Sequence, residues 1–370
     1  MVMKMHNLNE PITGSYTRED CEFLLDIIDP VYCDIEDKET LIQSGKRHYS
    51  EMLSKEVKPT DKYNELFFTF TKKYKRKLAQ HILALAKIID RNRPGEIVLV
   101  SLARAGTPIG VLLKKALELH YNREVRHYSI SIIRDRGIDT NALDYLIKDK
   151  NIVSHSLTFI DGWTAKGVIT RELKSSIERY NLDNNTLIPD DLYVISDSGG
   201  CADFCATDED YPIPSSMLNS TVSGLISRSV WQSKSTGRFH GCVVNHHLAD
   251  DDHSQWFIDQ IVFEFNKESE HSADVLENNT VRQEKMKAFI DNMKRIHAIS
   301  DINYMKPGIA ESTRVMLRRV PSLLILRSLD SPKVQHLILL AKEKNVTVVE
   351  QKKLLFEACA IIKTMNKGTE

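Results

Sequence analysis

The amino-acid sequence predicts an α/β protein whose main domain has a mainly parallel sheet with helices on both faces, followed by a small C-terminal α/β domain. Three observations support this. Short apolar runs alternate with amphipathic segments of about 10 to 15 residues. The loops after these runs are rich in glycine and charge. A chain of 370 residues is also long enough for two or three domains.

Residues 1–265 are expected to form the main domain, with an N-terminal helical extension. A long helix is predicted in "YNELFFTFTKKYKRKLAQHILALAKIIDRN", which ends before the turn "RPGE". Right-handed crossovers make the following sheet mainly parallel, so the loops at its carboxyl edge should converge on one crevice. The strands are predicted in "EIVLVSLA", "VRHYSISII", "LTFID" and "DLYVIS", with the helices "TPIGVLLKKALELHY" and "GVITRELKSSIERY" between them.

The last part of the chain divides into two. Residues 266–301 are polar and charged with little to bury, which predicts a linker or a surface helix. Residues 302–370 predict a small domain of helix, strand, helix, strand and helix. Its segments are "TRVMLRRVPSLLILRSL", "VQHLILLAKEKN", "VTVVEQ" and "LLFEACAIIK".

Composition excludes several classes of protein. Hydrophobic residues make up 42% of the chain and the formal net charge is -1, so neither a disordered chain nor a globally basic nucleic-acid binder is indicated. The N-terminus lacks an apolar signal core, and no run approaches the roughly 20 apolar residues of a membrane span. We therefore expect a cytoplasmic protein without a membrane partner. Six scattered cysteines predict reduced thiols, and a homodimer is left open.

The segment "FIDGWTAKG" has the composition of an anion cradle. Asp161 ends a predicted strand, Gly162 and Gly167 permit close backbone approach, and the next helix begins with unpaired N–H groups. Thr164 offers a hydroxyl and Lys166 a positive charge, so a phosphorylated sugar would satisfy the loop. The alternative is that Asp161 only caps the helix and the glycines only turn the chain.

Two further loops are candidates: the first shares this strand–loop–helix pattern, and the second is rich in charged residues. In "VSLARAGTPIGVLL", Arg104 and Gly106 precede a helix start, and Arg104 could grip a phosphate. In "IIRDRGID", Arg134 and Arg136 flank an acidic residue on a loop that could close over a charged ligand. The alternatives are a solvated surface arginine and a self-paired charge cluster.

These loops resemble those of type I phosphoribosyltransferases. Within that group, the chain resembles a bacterial family linked to tellurite-resistance and stress operons, which also carries the label cysteine protease StiP. The resemblance runs from about residue 41 to 257, and the C-terminal "KPGIAESTRVMLRRVPSLLIL" and "HLILLAKEKNVTVVE" resemble a Pelota-type RNA-binding domain. The motifs are "LIQSGKRHYSEML", "VSLARAGTPIGVLL", "HYSISIIRDRGID", "FIDGWTAKG" and "IPSSMLNSTVSGLISR".

The resemblance implies transfer of phosphoribose from phosphoribosyl pyrophosphate to an unidentified base or nucleoside-related acceptor, with Mg²⁺ as cofactor. It makes Asp161, Arg134 and Arg136 catalytic. One departure is that the second acidic residue of the family pattern is Gly162 here. The residues implied to bind the phosphoribosyl pyrophosphate are Ser101, Arg104, Ala105, Gly106, Gly162, Trp163, Thr164, Ala165, Lys166 and Gly167.

Acceptor and RNA contacts are also implied. The loop after the fourth strand would select the acceptor, although its polar residues could serve only as helix caps of a structural lid. A basic helix edge in the C-terminal domain would bind RNA phosphates, although it could be a solvated helix face. The acceptor candidates are Asp197, Asp208, Asp210 and Tyr211, and the RNA candidates are Arg314, Arg318 and Arg319.

Two other functions remain as alternatives. One is a sensor that associates with RNA and binds the sugar phosphate without turnover. The other is a cysteine peptidase, although buried structural cysteines are the commoner outcome and the sequence does not show which side chains are adjacent. The histidines and acids between residues 240 and 253 match no zinc spacing, so the metal ligands stay unassigned. The peptidase candidates are Cys201, Cys205, Cys242, His240, His246 and His247.

Overall fold

The structure is a computed structural model that describes residues 11–232, 237–267, 276 and 278–365. Within these ranges, no helix combines the length and the hydropathy that a membrane-spanning segment needs.

The main sheet contains the strands that the sequence predicts. Its parallel strands follow the order β1-β4-β3-β6-β7-β8, β5 pairs antiparallel with β4, and β2 and β9 form a separate small pair. The parallel sheet is thus confirmed. The strands are β1 Glu22–Leu24, β2 Asp26–Ile27, β3 Ile97–Ala103, β4 Val125–Ile133, β5 Gly137–Ile138, β6 Leu157–Thr164, β7 Leu192–Asp197, β8 Phe204–Thr207 and β9 Gly241–Cys242.

Helices cover both faces of this sheet, as predicted. One cluster of buried apolar side chains joins one face to α2, α3 and α6, and another joins the opposite face to α4 and α5. The Thr60 side chain caps α2 by accepting from the Tyr63 N–H, and Pro108 lies in the first turn of α3. The helices are α1 Ile35–Gln43, α2 Asp61–Asn92, α3 Thr107–Tyr121, α4 Thr140–Asp144, α5 Val168–Asn184 and α6 Ser254–Phe265.

The C-terminal part forms a four-stranded sheet in the order β10-β13-β11-β12, in which only β11 and β12 are parallel. Helix α8 contacts β10, β11 and β13, and α9 contacts α8 and β12. The elements are α7 Asn279–His297, β10 Met305–Pro307, α8 Ile309–Arg318, β11 Pro321–Leu326, α9 Gln335–Glu343, β12 Thr347–Glu350 and β13 Ala358–Ile362.

One expectation for this part is wrong. The last predicted helix contains the strand β13, which lies between β10 and β11 and is buried along its whole length. Such a strand shows a continuous apolar run that periodicity cannot distinguish from a helix. The segment predicted as a linker or a surface helix contains helix α7, whose Met286, Phe289 and Met293 pack in a cluster with Ile325 and Ile361 of the C-terminal sheet.

The two domains pack closely against each other. The main hydrophobic cluster is continuous across them, since Phe67 and Met217 belong to the same cluster as Met316 and Leu340. Asp210, which follows β8, accepts hydrogen bonds of 2.8 Å from the backbone N–H groups of Ile309 and Glu357. The carboxyl edge of the main sheet therefore faces the C-terminal domain.

Candidate functional site

Asp161 lies at the carboxyl edge of the sheet, as predicted, although β6 continues three residues beyond it to Thr164. Its Oδ1 atom accepts a hydrogen bond of 2.7 Å from the Gly162 N–H. Burial raises the pKa of the Asp161 carboxyl to about 7, against the opposing effects of the Gly162 N–H and Arg314. Asp161 is thus a carboxyl group that protein burial keeps close to its titration point at neutral pH.

Helix α5 begins at the end of the same loop. Gly167 is its N-cap, with φ of +65°, and a Cβ atom there would lie 2.7 Å from the Cys201 Cβ, so this position requires glycine. The first turn carries no acidic side chain, and Val168 and Ile169 line a cavity. The unpaired N–H groups and the positive end of the helix dipole therefore favour an anion there.

That cavity, called the first cavity below, lies between the β6–α5 loop and the C-terminal helix α8. Its volume is about 270 Å³. Eight cationic side chains and two carboxylates, those of Asp161 and Glu311, line it, so the near-neutral chain concentrates positive charge at this place. The cationic residues are Lys38, Arg134, Lys166, Arg228, Lys306, Arg314, Arg318 and Arg319.

The three arginines expected to bind RNA all line this cavity. Arg314 donates to Glu311 Oε1 at 3.3 Å and lies over the Trp163 ring. Arg318 is half-buried and donates to the side chain of Asn219, while Arg319 binds the buried carboxylate of Glu39 through two hydrogen bonds of 2.6 and 2.7 Å. They face the main domain instead of forming a solvated edge.

The two arginines of the "IIRDRGID" loop have different surroundings. Arg134 lines the first cavity, its backbone N–H donates to Tyr49 Oη at 2.8 Å, and its guanidinium lies over the Tyr49 ring. Arg136 pairs with Glu51 and stacks over the Trp231 ring at 4.2 Å. The structure therefore places Arg134 at the cavity and Arg136 outside its lining.

The "SLARAG" loop differs from its expected form. Ser101 is buried and its Oγ is hydrogen-bonded to His127 Nε2 at 2.8 Å, so this hydroxyl is already paired inside the sheet. A Cβ on Gly106 would lie 2.5 Å from the Ile160 carbonyl oxygen, which makes this glycine a packing requirement. Arg104 is buried, 3.0 Å from Glu56 Oε2, and donates to the Ile226 carbonyl at 2.6 Å. It lines a second cavity, beside the first.

One residue of the β6–α5 loop, Lys166, makes contacts that the sequence did not indicate. The Lys166 ammonium donates to the carbonyls of Ile302 and Met305 at 2.8 and 2.7 Å, and burial lowers its pKa to about 7. Lys166 is therefore directed at the C-terminal domain instead of a phosphate. Trp163 and Thr164 line the first cavity, together with Ala165.

Three of the four expected acceptor residues hold the fold together. Asp197 is fully buried and accepts from the Gly199 and Ala202 N–H groups, which caps a turn. Asp210 joins the domains through its two backbone contacts, and Tyr211 is buried with its hydroxyl 3.0 Å from His81 Nδ1. Asp208 lines a polar surface pocket with Arg282 and Lys333. The capping alternative describes Asp197 and Asp210 better than substrate contact does.

The cysteines lack the surroundings of an activated thiolate. Cys201 Sγ hydrogen-bonds to the carbonyls of Ala165 and Gly199, and burial raises the pKa of the Cys201 and Cys205 thiols to about 11. Burial also raises the pKa of Cys242 well above its usual value. A nucleophilic cysteine needs the opposite shift. His240 is held by Ser131 Oγ at 2.8 Å.

The donor set limits where a magnesium ion could bind. Over the described parts of the chain, no three His, Cys, Asp or Glu side chains come together in a metal site. Burial raises the pKa of Glu311, but the neighbouring Arg314 and Lys306 outweigh this effect and lower that pKa to about 2. The Glu311 carboxylate is therefore already paired with two cationic side chains. Asp161 could therefore supply only one of the oxygen atoms around a Mg²⁺ ion, and a bound phosphate compound would supply most of the others.

Four residues of the first cavity were missed as site residues. Tyr49, Arg228 and Lys306 lie in segments that resemble family motifs, Lys38 lies outside those segments, and no local pattern marks any of these side chains as ligands. Charged residues isolated in sequence meet here only through the packing of separate elements. The four are Lys38, Tyr49, Arg228 and Lys306.

Comparisons with known proteins agree with the motifs. The family described as tellurite-like stress resistance cysteine protease StiP matches residues 14–262, and the PELOTA RNA binding domain matches residues 284–364. A protein of Acinetobacter baylyi named cysteine protease StiP is 38% identical over 382 aligned positions, which cover 98% of this chain and 97% of that protein.

Solved structures with local similarity include the hypoxanthine phosphoribosyltransferase of Trypanosoma cruzi. The two are 14% identical, with a TM-score of 0.29, over 46% of this chain and 93% of that chain. A variant of that enzyme complexed with the product IMP is 15% identical, with a TM-score of 0.28, over 50% and 89% of the respective chains.

Proposed function

Since this chain belongs to the StiP family and ends in a PELOTA RNA binding domain, we propose that it binds phosphoribosyl pyrophosphate and transfers the phosphoribosyl group to an acceptor. The observation that carries the proposal is the first cavity, where Asp161 and the start of α5 lie opposite a set of arginines and lysines. Such a ligand has a phosphate, two ribose hydroxyls and a diphosphate.

Each part of this ligand has a matching group. The 5-phosphate lies against the N–H groups of Gly167, Val168 and Ile169 at the start of α5. The ribose hydroxyls donate hydrogen bonds to the Asp161 carboxylate. The diphosphate, with most of the charge, lies towards Arg228 and Arg318, whose guanidinium groups suit phosphate oxygens.

The chemistry follows from this placement. The bond between ribose C1 and a diphosphate oxygen breaks, and its electron pair leaves with the diphosphate. A lone pair of the acceptor forms the new bond to C1. Arg228 and Arg318 stabilise the charge that develops on the leaving group, and the two-domain enclosure limits water, which would otherwise hydrolyse the sugar. Asp161 and the α5 start fix the sugar during the exchange.

Mg²⁺ is the proposed cofactor and would enter with the diphosphate, adding positive charge to the leaving group. Asp161 is the residue that would hold it. Glu311 is not proposed as a magnesium ligand. Its carboxylate accepts hydrogen bonds from Arg314 and Trp163 and orients both side chains.

RNA is a proposed partner of the C-terminal domain. Such binding would use a surface other than Arg314, Arg318 and Arg319, because those side chains contact the main domain or the first cavity. The peptidase activity in the relative's name is not proposed, because the Cys201 and Cys205 thiols have raised pKa values.

Calorimetric titration of the full chain with phosphoribosyl pyrophosphate, with and without Mg²⁺, tests the proposal. We expect binding to the wild type, weaker binding of ribose 5-phosphate, and at least tenfold weaker binding of phosphoribosyl pyrophosphate to Asp161→Asn. The exposed Asp183→Asn is the matched control. Equal affinity of Asp161→Asn and wild type, or no binding to folded wild type, would overturn the proposal. Release of pyrophosphate with an acceptor distinguishes a transferase from a sensor.

A further inference from the structure

The second cavity has a volume of about 310 Å³ and is lined by residues of both domains. Seven cationic side chains and two carboxylates line it. Glu56 accepts from the Ser220 N–H and hydroxyl, and Glu343 accepts from the Thr60 hydroxyl at 3.3 Å, so both carboxylates have partners. The cavity therefore carries an excess of positive charge, which favours an anionic partner. The cationic residues are Lys38, Lys55, Lys58, Arg104, Arg228, Arg318 and Lys344.

Three of these cations form what we call the lysine rim: Lys55 and Lys58 of the main domain and Lys344 of the C-terminal domain. All three residues are exposed. Lys58 Nζ lies 3.0 Å from Asp251 Oδ1, but the Lys58 side chain remains 58% exposed. The phosphates of a polyanion can therefore reach the lysine rim from the solvent, and both domains contribute to holding them.

Apolar surface is exposed beside the lysine rim. Tyr32 is 45% exposed and Val57 is 78% exposed, and both line the second cavity. The segment that contains Tyr32 is fixed there, because the Leu53 N–H donates to the Val31 carbonyl at 3.1 Å and the Cys33 N–H donates to the Leu53 carbonyl at 2.9 Å. An exposed aromatic ring next to lysines is typical of surfaces that bind single-stranded nucleic acid, where a base stacks on the ring and the cations hold the phosphates.

The interior of the second cavity contains polar atoms without partners. Asn245 Nδ2 and Thr221 Oγ1 are buried and have no hydrogen-bond partner in the part of the chain that the structure describes. Buried polar groups are nearly always paired in native proteins, so unpaired donors beside a cavity indicate a ligand that carries oxygens. A nucleotide supplies such oxygens on its phosphate and its ribose.

We propose that a single-stranded RNA binds across the mouth of the second cavity. One base stacks on Tyr32, the phosphates contact the lysine rim, and the leading nucleotide lies inside the cavity, near Asn245. RNA as a partner rests on the proposed function, but this surface extends beyond the C-terminal domain, since Tyr32 and Lys55 belong to the main domain. The strand is unpaired because the bases of a duplex stay stacked on one another and cannot lie on an aromatic ring. Arg318 is not among the contacts, because it already donates to Asn219.

Fluorescence anisotropy of the full chain with a labelled single-stranded RNA of eight uridines tests the proposal. We expect this RNA to bind at least tenfold more tightly than an RNA duplex of eight base pairs, and more tightly than uridine 5′-monophosphate, which competes for the cavity but does not span the rim. Equal affinity for the duplex would overturn the stacking on Tyr32. Equal affinity for the mononucleotide would show a small-anion site instead of a strand site.

Variants at exposed positions locate the binding. Tyr32→Ala should weaken RNA binding about tenfold, because it removes the stacking surface. The double variant Lys55→Gln, Lys344→Gln should weaken it at least tenfold and reduce the dependence of log Kd on log salt concentration by about 1.4. Phe263→Ala, at a position that is 60% exposed, and Lys287→Gln, at an exposed position on α7, are the matched controls. Unchanged RNA affinity in Tyr32→Ala and in the double variant would overturn the location.

This proposal and the proposed function fail in different ways. Binding of phosphoribosyl pyrophosphate by a protein that does not bind the single-stranded RNA would refute the RNA surface and leave the sugar-phosphate site. RNA binding that Tyr32→Ala weakens, in a protein that does not bind phosphoribosyl pyrophosphate, would refute the transferase and support the RNA surface.

Discussion

The indole Nε1 of Trp163 donates a hydrogen bond to Glu311 Oε1 at 3.2 Å. Trp163 belongs to the end of β6 in the main domain, whereas Glu311 belongs to α8 in the C-terminal domain. Arg314 lies over the same indole ring and also binds Glu311. The C-terminal domain is therefore part of the wall of the first cavity, and its Arg314 is positioned against the end of β6.

The first prediction concerns Arg314 and Arg318. The double variant Arg314→Gln, Arg318→Gln should bind phosphoribosyl pyrophosphate at least tenfold more weakly, because a hydrogen bond to a charged group contributes about 1.5–3 kcal/mol. Its affinity for RNA, measured by fluorescence anisotropy, should stay within about twofold of wild type. Arg295→Gln, an exposed position on α7, is the control. Loss of RNA binding with unchanged sugar-phosphate affinity would favour the original RNA assignment.

The ionised carboxylate of Asp161 should lower the free energy of unfolding of the ligand-free protein. Its folded-state pKa of about 7 lies above the ordinary value of 3.8, so the folded protein holds a proton that the unfolded chain releases as the pH rises from about 4 to 7. The free energy of unfolding therefore falls over this range. Asp161→Asn should be more stable than wild type by about 1–3 kcal/mol at pH 8, with little difference near pH 4.

Urea denaturation of both proteins at the two pH values measures this effect. Asparagine retains an oxygen that can accept from the Gly162 N–H, so the substitution tests the charge more than the hydrogen bond. A variant less stable than wild type at pH 8 would show that the carboxylate is stabilised in the free protein.

Asp210 should hold the domains together. Its two oxygens accept one backbone N–H each, from Ile309 and Glu357, whereas an asparagine would direct an N–H at one of these donors. Asp210→Asn should therefore lower the free energy of unfolding at pH 8 by about 1–3 kcal/mol. Because burial raises the pKa of Asp210 to about 6, the folded wild type gains stability as the pH falls from 8 to 5, so the difference should be larger at pH 5. The exposed Asp330→Asn should have no effect, and equal stability of all three proteins would contradict the interface.

The cysteines should be dispensable for the proposed activity. Cys201→Ser and Cys205→Ser should retain phosphoribosyl pyrophosphate binding within about twofold. Because burial raises both thiol pKa values to about 11, iodoacetamide should label these two cysteines in the native protein at pH 7.5 more slowly than it labels free cysteine. Fast labelling of Cys201, together with loss of activity in Cys201→Ser, would instead support a cysteine nucleophile.

The sequence was most informative where period and pattern are local. The helix Thr107–Tyr121 and the strand Val125–Ile133 occur where amphipathic and β-branched runs predicted them. The strand Ala358–Ile362 was missed because neighbours cover both of its faces, which removes the alternation that marks a half-buried strand.

The candidate site was predictable only in part. Asp161 and the loop to Gly167 were recognised because their residues are contiguous. Lys38 and Arg228 were missed as ligands because no local pattern marks either single cation as a ligand, and only tertiary packing brings them to one cavity. Arg318 was recognised but given an RNA role, since a helix pattern does not show what covers its basic face.

A crystal structure of the full chain with phosphoribosyl pyrophosphate and Mg²⁺ would test the central claim most directly. We expect the 5-phosphate at the start of α5, the ribose hydroxyls on Asp161 and the diphosphate beside Arg228 and Arg318. Density for the ligand outside the first cavity, or an empty cavity at saturating ligand in crystals whose packing leaves it open, would contradict it.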